Sequence, residues 1–268
     1  MIKLFQILIL RYFNLTLLKP SFVNAKFRHV DLRGVDLSYS NLRQADFSYA
    51  DLSFGGLRRR DTNLSHANLE RARLVRANLF QANLRRANLT RAQLEHAQLT
   101  NADLNNCCLI SVQMNYAELA GAKLGTANLT GANLRHSNLK NADLRRANLT
   151  DAQLQCADLY GADLEGANLT GANLGGAEVT SARLRDVNFA SAILRSSDLH
   201  YSDLRRANLA HSDLTDADLT HCDLTGANLS GAYLIHCDLT GANLTDTFVS
   251  GVDLTDVIGA DFTGAILE

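Results

Sequence analysis

From Leu64 to Leu254 a large apolar side chain returns every fifth residue, and that spacing dictates what the chain can become. Of thirty-nine consecutive positions, thirty-five are Leu; the others are Met114, Val179, Phe189 and Val249. The residue two before each is small, Ala in twenty-seven cases and otherwise Ser, Thr, Cys or Val. A period of five matches neither the 3.6 of a helix nor the 2 of a flat strand. The backbone must therefore turn a corner once per repeat, so that the Leu and the small residue keep facing one axis. A unit of this kind cannot bury its own apolar face and must stack on copies of itself, which gives a solenoid.

The repeat has three registers. Phe27 to Leu57 form seven units, a two-residue slip around Arg58–Thr62 leads to Leu64, and three extra residues within Asp256–Gly259 precede Phe262 and Leu267. The count is forty-eight units. The slip carries Arg58, Arg59, Arg60 and Asp61, so it is expected to bulge into solvent as a loop rather than to divide domains. Residues 1–24 lack the repeat and hold a dense apolar run, Ile2 to Leu10. They read as an N-terminal cap over the open end of residues 25–268. The competing reading is a signal peptide cleaved after Val23-Asn24-Ala25, against which Arg11 interrupts the run.

The formal net charge of −2 hides a split. Residues 1–140 carry 19 basic and 9 acidic side chains, residues 141–268 carry 7 and 19, and no Lys or Arg follows Arg206. The molecule is an axial dipole with a basic N-terminal half, suited to an acidic partner there. Five Cys with no disulfide-scaffold or CxxC spacing exclude a zinc ribbon and fit reduced thiols in the cytoplasm. Cys107, Cys222 and Cys237 fall on the small-residue position, as core fillers.

The units Ala127-Asn-Leu-Thr-Gly131, Ala142-Asp-Leu-Arg-Arg146 and Ala82-Asn-Leu-Arg-Arg86 carry an A(D/N)LXX signature, and the chain resembles the pentapeptide repeat family over residues 25–268. The resemblance implies an all-β fold, a right-handed quadrilateral parallel β-helix with four units per coil. Forty-eight units make about twelve coils, and at ~4.8 Å per coil the rod is roughly 58 Å long. Leu124, Leu144, Leu164 and Leu204 are then core residues of one inner column.

Folding the sequence at twenty residues sorts the outward positions onto four walls. The first is an amide column from Asn68 to Asn228, expected to hydrogen-bond amide to amide up the rod. The second is acidic: Glu118, Asn138, Asp158, Glu178, Asp198, Asp218 and Asp238, with Lys140 as its one nearby base. Two charges ~4.8 Å apart repel by roughly 0.9 kcal/mol in water and about 3.5 kcal/mol at an effective dielectric of 20. Glu118, Asp158, Glu178, Asp198, Asp218 and Asp238 are therefore the candidate stripe for a basic protein partner. The third wall interleaves Arg145, Arg183, Arg185 and Arg205 with Asp143, Asp163, Asp186, Asp203 and Asp223, which predicts ion pairs between coils. The fourth, with Gln93, Gln113, Asn133, Gln153, Asn173, Tyr233 and His236, shows no convergence.

No catalytic constellation, cofactor motif or metal-ligand spacing is evident, and the eight His are dispersed, with His96 and His136 two coils apart on one face. The expectation is a non-enzymatic binding or scaffold protein. Its cofactors are none, its partner is a protein, and neither direct nucleic-acid binding nor membrane insertion is expected. Some relatives mimic DNA at type II topoisomerases and others regulate bacterial signalling or differentiation. The acid column and the acid-only tail fit the first of these roles, whereas the Arg-rich half opposes it. With Ala265-Ile266-Leu267-Glu268 ending inside a repeat, a C-terminal end-to-end homodimer is expected.

Overall fold

The computed structural model describes residues 20–55 and 61–267, and all of them lie in a parallel β-solenoid with four walls. In the main register each residue before a central Leu bridges the residue twenty positions on, as in Asn63 with Asn83 and Asn68 with Asn88. The walls follow in chain order as the ion-pair, amide, mixed and acid walls, represented in one coil by Asn63, Asn68, Arg73 and Asn78. Among the described residues there is no helix.

One pentapeptide shows why the period works. The Asn63 amide donates to Val35 O at 3.0 Å and the Leu64 amide to Asn83 O at 2.7 Å. The His66 amide donates to Arg85 O at 2.9 Å, and the Ala67 amide closes the corner on Leu64 O at 3.1 Å. The remaining amide, of Ser65, donates to the Asn63 side-chain Oδ1 at 3.1 Å. All five N–H groups are satisfied without leaving the coil stack, as buried or half-buried backbone demands. The Asx residue before each Leu is thus a structural part: its short side chain reaches the amide two residues on, where a longer one overshoots.

In the main register from Leu64 to Leu254 the corner residue two after each central residue has positive φ, the third position of a type II turn. Glycine suits that conformation, yet most corners hold other residues, including Tyr116 at φ 60° and Arg146 at φ 56°. Each such corner costs about 1–2 kcal/mol relative to an unstrained backbone, which the two inter-coil hydrogen bonds flanking the corner offset.

The inner column is continuous. Leu124, Leu144, Leu164 and Leu204 are all at most 1% exposed. The small residues turn in beside them, and where one carries a hydroxyl or thiol it finds a carbonyl: Ser137 Oγ donates to Leu134 O at 2.7 Å, and Cys107 Sγ to Leu84 O at 2.9 Å. Near the N-terminal end Phe27 stacks on Phe47, ring centroids 4.9 Å apart, so aromatics continue the neighbouring inner column, that of Leu74 and Leu94.

Three register details differ from the periodicity. Ser21 already bridges Asn41, so the wall begins inside the segment read as a cap; residues 1–19 of that segment lie outside the described residues. Across the slip the bridges span twenty-seven residues, Asp36 to Asn63 and Asp51 to Asn78. The wall place after Asp51 is therefore taken by Asn63; the unit expected at Leu57, with Arg58–Arg60, lies outside the described residues. The excess is seven residues, not two. Its end is held by Thr62, fully buried, whose hydroxyl accepts from the Gly34 amide at 2.9 Å and donates to Ser53 O at 2.9 Å.

At the other end Ile258 bridges Asp238 in the ordinary register, while Ile266 bridges Phe248 eighteen residues away. Gly259, with φ 63°, has the corner conformation directly after Ile258, so the unit of Ile258 is two residues short. The sequence arithmetic of three extra residues is replaced by one extra unit with a deletion. The last rungs are more open: Leu254, Ile258 and Leu267 are 37%, 49% and 65% exposed.

Candidate functional site

On the acid wall, bridges join Glu118, Asn138, Asp158, Glu178, Asp198, Asp218 and Asp238 in unbroken order. The structure brings all six candidate residues into one column. Lys140 Nζ pairs with Asp158 at 2.8 Å, and that is the one Lys or Arg contact to the column among the described residues. The aspartates do what Asx does elsewhere. Asp158, Asp198, Asp218 and Asp238 accept the amides of Tyr160, His200, Thr220 and Thr240 at 3.2, 3.1, 2.8 and 2.9 Å. Hydrogen bonds from the Thr240 hydroxyl and amide hold the Asp238 carboxyl below its usual range. Asn138 accepts the Lys140 amide at 3.1 Å in the same way, so the fold at this position is indifferent between Asp and Asn.

His200 adds a group that spacing alone left isolated. Its Nδ1 lies 2.5 Å from Asp198 Oδ1, and one donor atom each from Asp198, His200 and Asp218 lie within 4.8 Å of one another. His200 stands two residues beyond Asp198, on the wall rather than at a corner. The signal for the contact is the i to i+2 offset after an Asx, the one by which Thr hydroxyls such as Thr215 reach Asp213.

The amide wall is a ladder, but its rungs are mostly relayed. Asn128 Oδ1 accepts from the Thr130 hydroxyl at 2.6 Å, and that hydroxyl accepts from Asn148 Nδ2 at 3.0 Å. The pattern repeats through Thr150, Asn168, Thr170 and Asn188 before a direct amide contact, Asn208 Nδ2 to Asn188 Oδ1 at 3.0 Å. The expected amide-to-amide chain is corrected here because each Oδ1 is already committed to its own strand. The Thr hydroxyl, both donor and acceptor, carries the bond onward.

The ion-pair wall is laced with charges both within strands and between coils, and Arg206 at its corner reaches Asp186 one coil before at 2.5 Å. Arg145 reaches Asp143 at 2.7 Å and Arg205 reaches Asp203 at 2.5 Å, with longer arms to Asp163 at 3.8 Å and Asp223 at 3.6 Å in the next coil. The paired guanidiniums hold Asp143 and Asp203 below the usual carboxylate range against the opposing effect of partial burial.

The fourth wall does converge, at its corner with the acid wall. His29 stacks on Tyr49 at 4.9 Å, Arg76 lies over the Tyr49 ring at 5.9 Å, and Tyr116 is sandwiched between His96 and His136 at 5.0 and 4.9 Å. His96 and His136 are two coils apart, as the period requires, and the ring between them was missed because Tyr116 was not placed in a column. Open notches interrupt the corner after the ion-pair wall. One, about 560 Å³, is lined by Thr126, Arg145, Arg146, Glu165, Gly166 and Asp186 among others.

The family model for pentapeptide repeats matches in eight copies, residues 21–58, 60–92, 87–125, 127–166, 162–200, 202–241, 217–256 and 232–268. The chain belongs to the pentapeptide repeat family. Right-handed quadrilateral winding is the form such proteins take, and the four bridged columns are its walls. Among solved structures, this pentapeptide repeat chain is similar to full-length QnrB1, a plasmid-mediated fluoroquinolone resistance protein, at 20% identity over 64% of this chain and 91% of that one, TM-score 0.34. It is also similar to HetL, involved in heterocyst differentiation regulation in the cyanobacterium Nostoc sp. strain PCC 7120, at 30% identity over 93% and 90%, TM-score 0.23. A third is a thylakoid-lumen pentapeptide repeat protein of Arabidopsis thaliana, at 27% identity over 44% and 66%, TM-score 0.25. Among curated proteins no sequence matches.

Proposed function

We propose that this pentapeptide repeat protein is a non-enzymatic docking rod of about twelve coils, whose acid wall engages a basic surface on a partner protein. The observation that carries the reading is the choice of Asp where the fold accepts Asn. On the amide wall Asn fills eight of the nine positions from Asn68 to Asn228, Cys108 being the ninth, and the acceptor role is the same. On the acid wall Asp158, Asp198, Asp218 and Asp238 take that role with Glu178 among them. Stacking carboxylates one coil apart costs Coulomb energy that Asn would spare. Local structure offsets this at Asp158, paired with Lys140, and at Asp198, in contact with His200, but no ion pair holds Glu178, Asp218 or Asp238 among the described residues, so a cationic counterpart supplies the reason. Tyr160, exposed beside Asp158, adds an aromatic contact of the kind enriched at interfaces.

The wall is flat and the described notches are open, which suits a protein surface better than an enclosed substrate. Free thiols support a reducing compartment, the cytoplasm. End-to-end pairing of two copies belongs to the same proposal, supported by the exposure of Leu254, Ile258 and Leu267. The test is affinity capture from the native cell with wild type and with a variant carrying Asp198→Asn, Asp218→Asn and Asp238→Asn. The Asn variant keeps the fold, and it should lose a partner that wild type retains at low salt and releases at high salt. Equal capture by both proteins would refute the acid wall as the docking surface.

A further inference from the structure

The corner after the ion-pair wall repeats itself at a distance of sixty residues. Arg145-Arg146 and Arg205-Arg206 occupy equivalent places three coils apart, and the next coil presents glycine at the corner in both, Gly166 and Gly226. In each case the arginine Cγ lies 3.6 Å from where a Cβ on that glycine would stand. The two arginine stems therefore take the same course across the missing side chain.

What differs is the coil before. Arg206 meets Asp186 there and makes a two-pronged contact, Nε at 2.6 Å and Nη2 at 2.5 Å to the two carboxylate oxygens. This planar fork is the strongest arrangement open to guanidinium and carboxylate. Arg146 meets Thr126 instead, whose hydroxyl donates to Gly125 O at 2.6 Å and contacts Asn106 Oδ1 at 3.0 Å. Among the described residues no carboxylate comes within ion-pair distance of Arg146, although it faces the 560 Å³ notch. The neighbouring charges are already matched: Arg145 is held by Asp143 and Asp186 by Arg206.

We propose that the notch at Arg146 is a carboxylate-binding site, in which a ligand carboxylate takes the place that Asp186 takes against Arg206. The chain itself thus displays the bound form in one copy of the motif and the open form in the other. Glu165, at the rim one coil on, disfavours ligands with several negative charges and favours a lone carboxylate or one accompanied by an ammonium group. The carboxylate comes either from a free small acid or from a single acidic side chain of a bound peptide. The site is separate from the acid wall, so the Asn variant described above leaves it intact.

The experiment follows the side-chain Nε–Hε resonances of arginine in isotope-labelled full-length protein. The Arg146 signal is identified by its loss in Arg146→Gln. Sodium acetate and a blocked peptide with one aspartate between Gly and Ser residues are titrated separately, with sodium chloride as the ionic-strength control. A saturable shift of the Arg146 signal with both probes indicates a small-acid site, and with the peptide alone a peptide site; either supports the proposal. Thr126→Asp recreates the Asp186 geometry, so its Arg146 signal should start displaced and lose the response at least tenfold. Asp186→Asn should make the Arg206 signal respond as well. No saturable shift beyond the chloride control, or an undiminished response in a folded Thr126→Asp protein, overturns the proposal.

Discussion

Leu144→Ala and Leu254→Ala remove the same three carbons from the same place in the repeat, but the structure assigns them different costs. Leu144 is fully buried, with Leu124 and Leu164 as neighbours in its column, whereas Leu254 is 37% exposed. Losing three buried carbons costs roughly 2.4 kcal/mol at about 0.8 kcal/mol each. Bridged coils on both sides keep the hole from closing, so a residual cavity of ~50–80 Å³ adds roughly 1–2 kcal/mol. The sum for Leu144→Ala is about 3.5–4.5 kcal/mol. At Leu254 part of that surface is already wet and the hole opens to water, so about 1 kcal/mol is expected. Urea denaturation followed by circular dichroism reads both. Solenoids unfold with nearest-neighbour cooperativity, so hydrogen exchange of the amides around residue 144 should be measured alongside, to place the loss locally. Equal midpoint shifts for the two variants, or no shift for Leu144→Ala, would refute the inner-column reasoning.

The Asx acceptor predicts that Asp218→Asn keeps the bond and, by relieving repulsion from Asp198 and Asp238, is slightly stabilising at low salt, while Asp218→Ala, which strands the Thr220 amide bonded at 2.8 Å, costs about 1 kcal/mol relative to Asp218→Asn by thermal melt. Burial pushes the thiols of Cys107, Cys222 and Cys237 up to about 12, so at pH 8 they should resist alkylation while exposed Cys156 labels readily; mass spectrometry of the native protein checks this. The carboxyls of Asp143, Asp186 and Asp203 are depressed in the folded state, principally by hydrogen bonds from Arg145, Arg206 and Arg205. Their contribution is therefore full above the unfolded value near 3.9 and lost as pH falls through the lower folded values. Melting midpoints should hold steady from pH 7 to about 5 and drop below about 4, less so in Asp203→Asn. Light scattering at high concentration should show a dimer that Leu267→Glu dissociates.

The core was legible in the sequence because every coil writes the same constraint. Leu at the centre and a small residue two before it leave no other way to bury both, and a period of twenty then fixes which outward residues meet. That is why the order of Glu118 to Asp238 could be stated in advance. Register changes were less legible. Counting Leu57 as a unit was reasonable on periodicity, but periodicity carries no information on where the wall resumes, which the buried Thr62 hydroxyl decides. Ile258 shows the reverse: it holds a wall place but its unit turns the corner at Gly259 without a central Leu, so a search for apolar residues at the centre passes over it. Side-chain partners were legible only where the column was complete. The His96–Tyr116–His136 stack and the Asp198–His200 contact both involve positions after the central Leu, where ring contacts depend on side-chain rotamers that the period does not fix.

The same geometry explains why function on such a rod falls to few residues. Two of every five positions are fixed by the interior, and a third is held close to Asx by the amide it must accept. A corner position tolerates nearly any residue at a roughly constant backbone cost, as the spread from Gly131 to Tyr116 and Arg146 shows. Departures from the local rule are therefore informative where they have a cost and no structural return. Asp in place of Asn along one wall is such a departure, since the acceptor is preserved and repulsion is added. An arginine whose twin sixty residues on is clasped by a carboxylate, and which has none itself, is another. If partner capture and carboxylate binding map to these two places and not to the aromatic corner or the amide ladder, then unexplained cost, rather than exposure or charge density, marks the working surface of the rod. If they map instead to the His29–Tyr49–Arg76 corner, whose stacking is self-satisfied, that criterion fails.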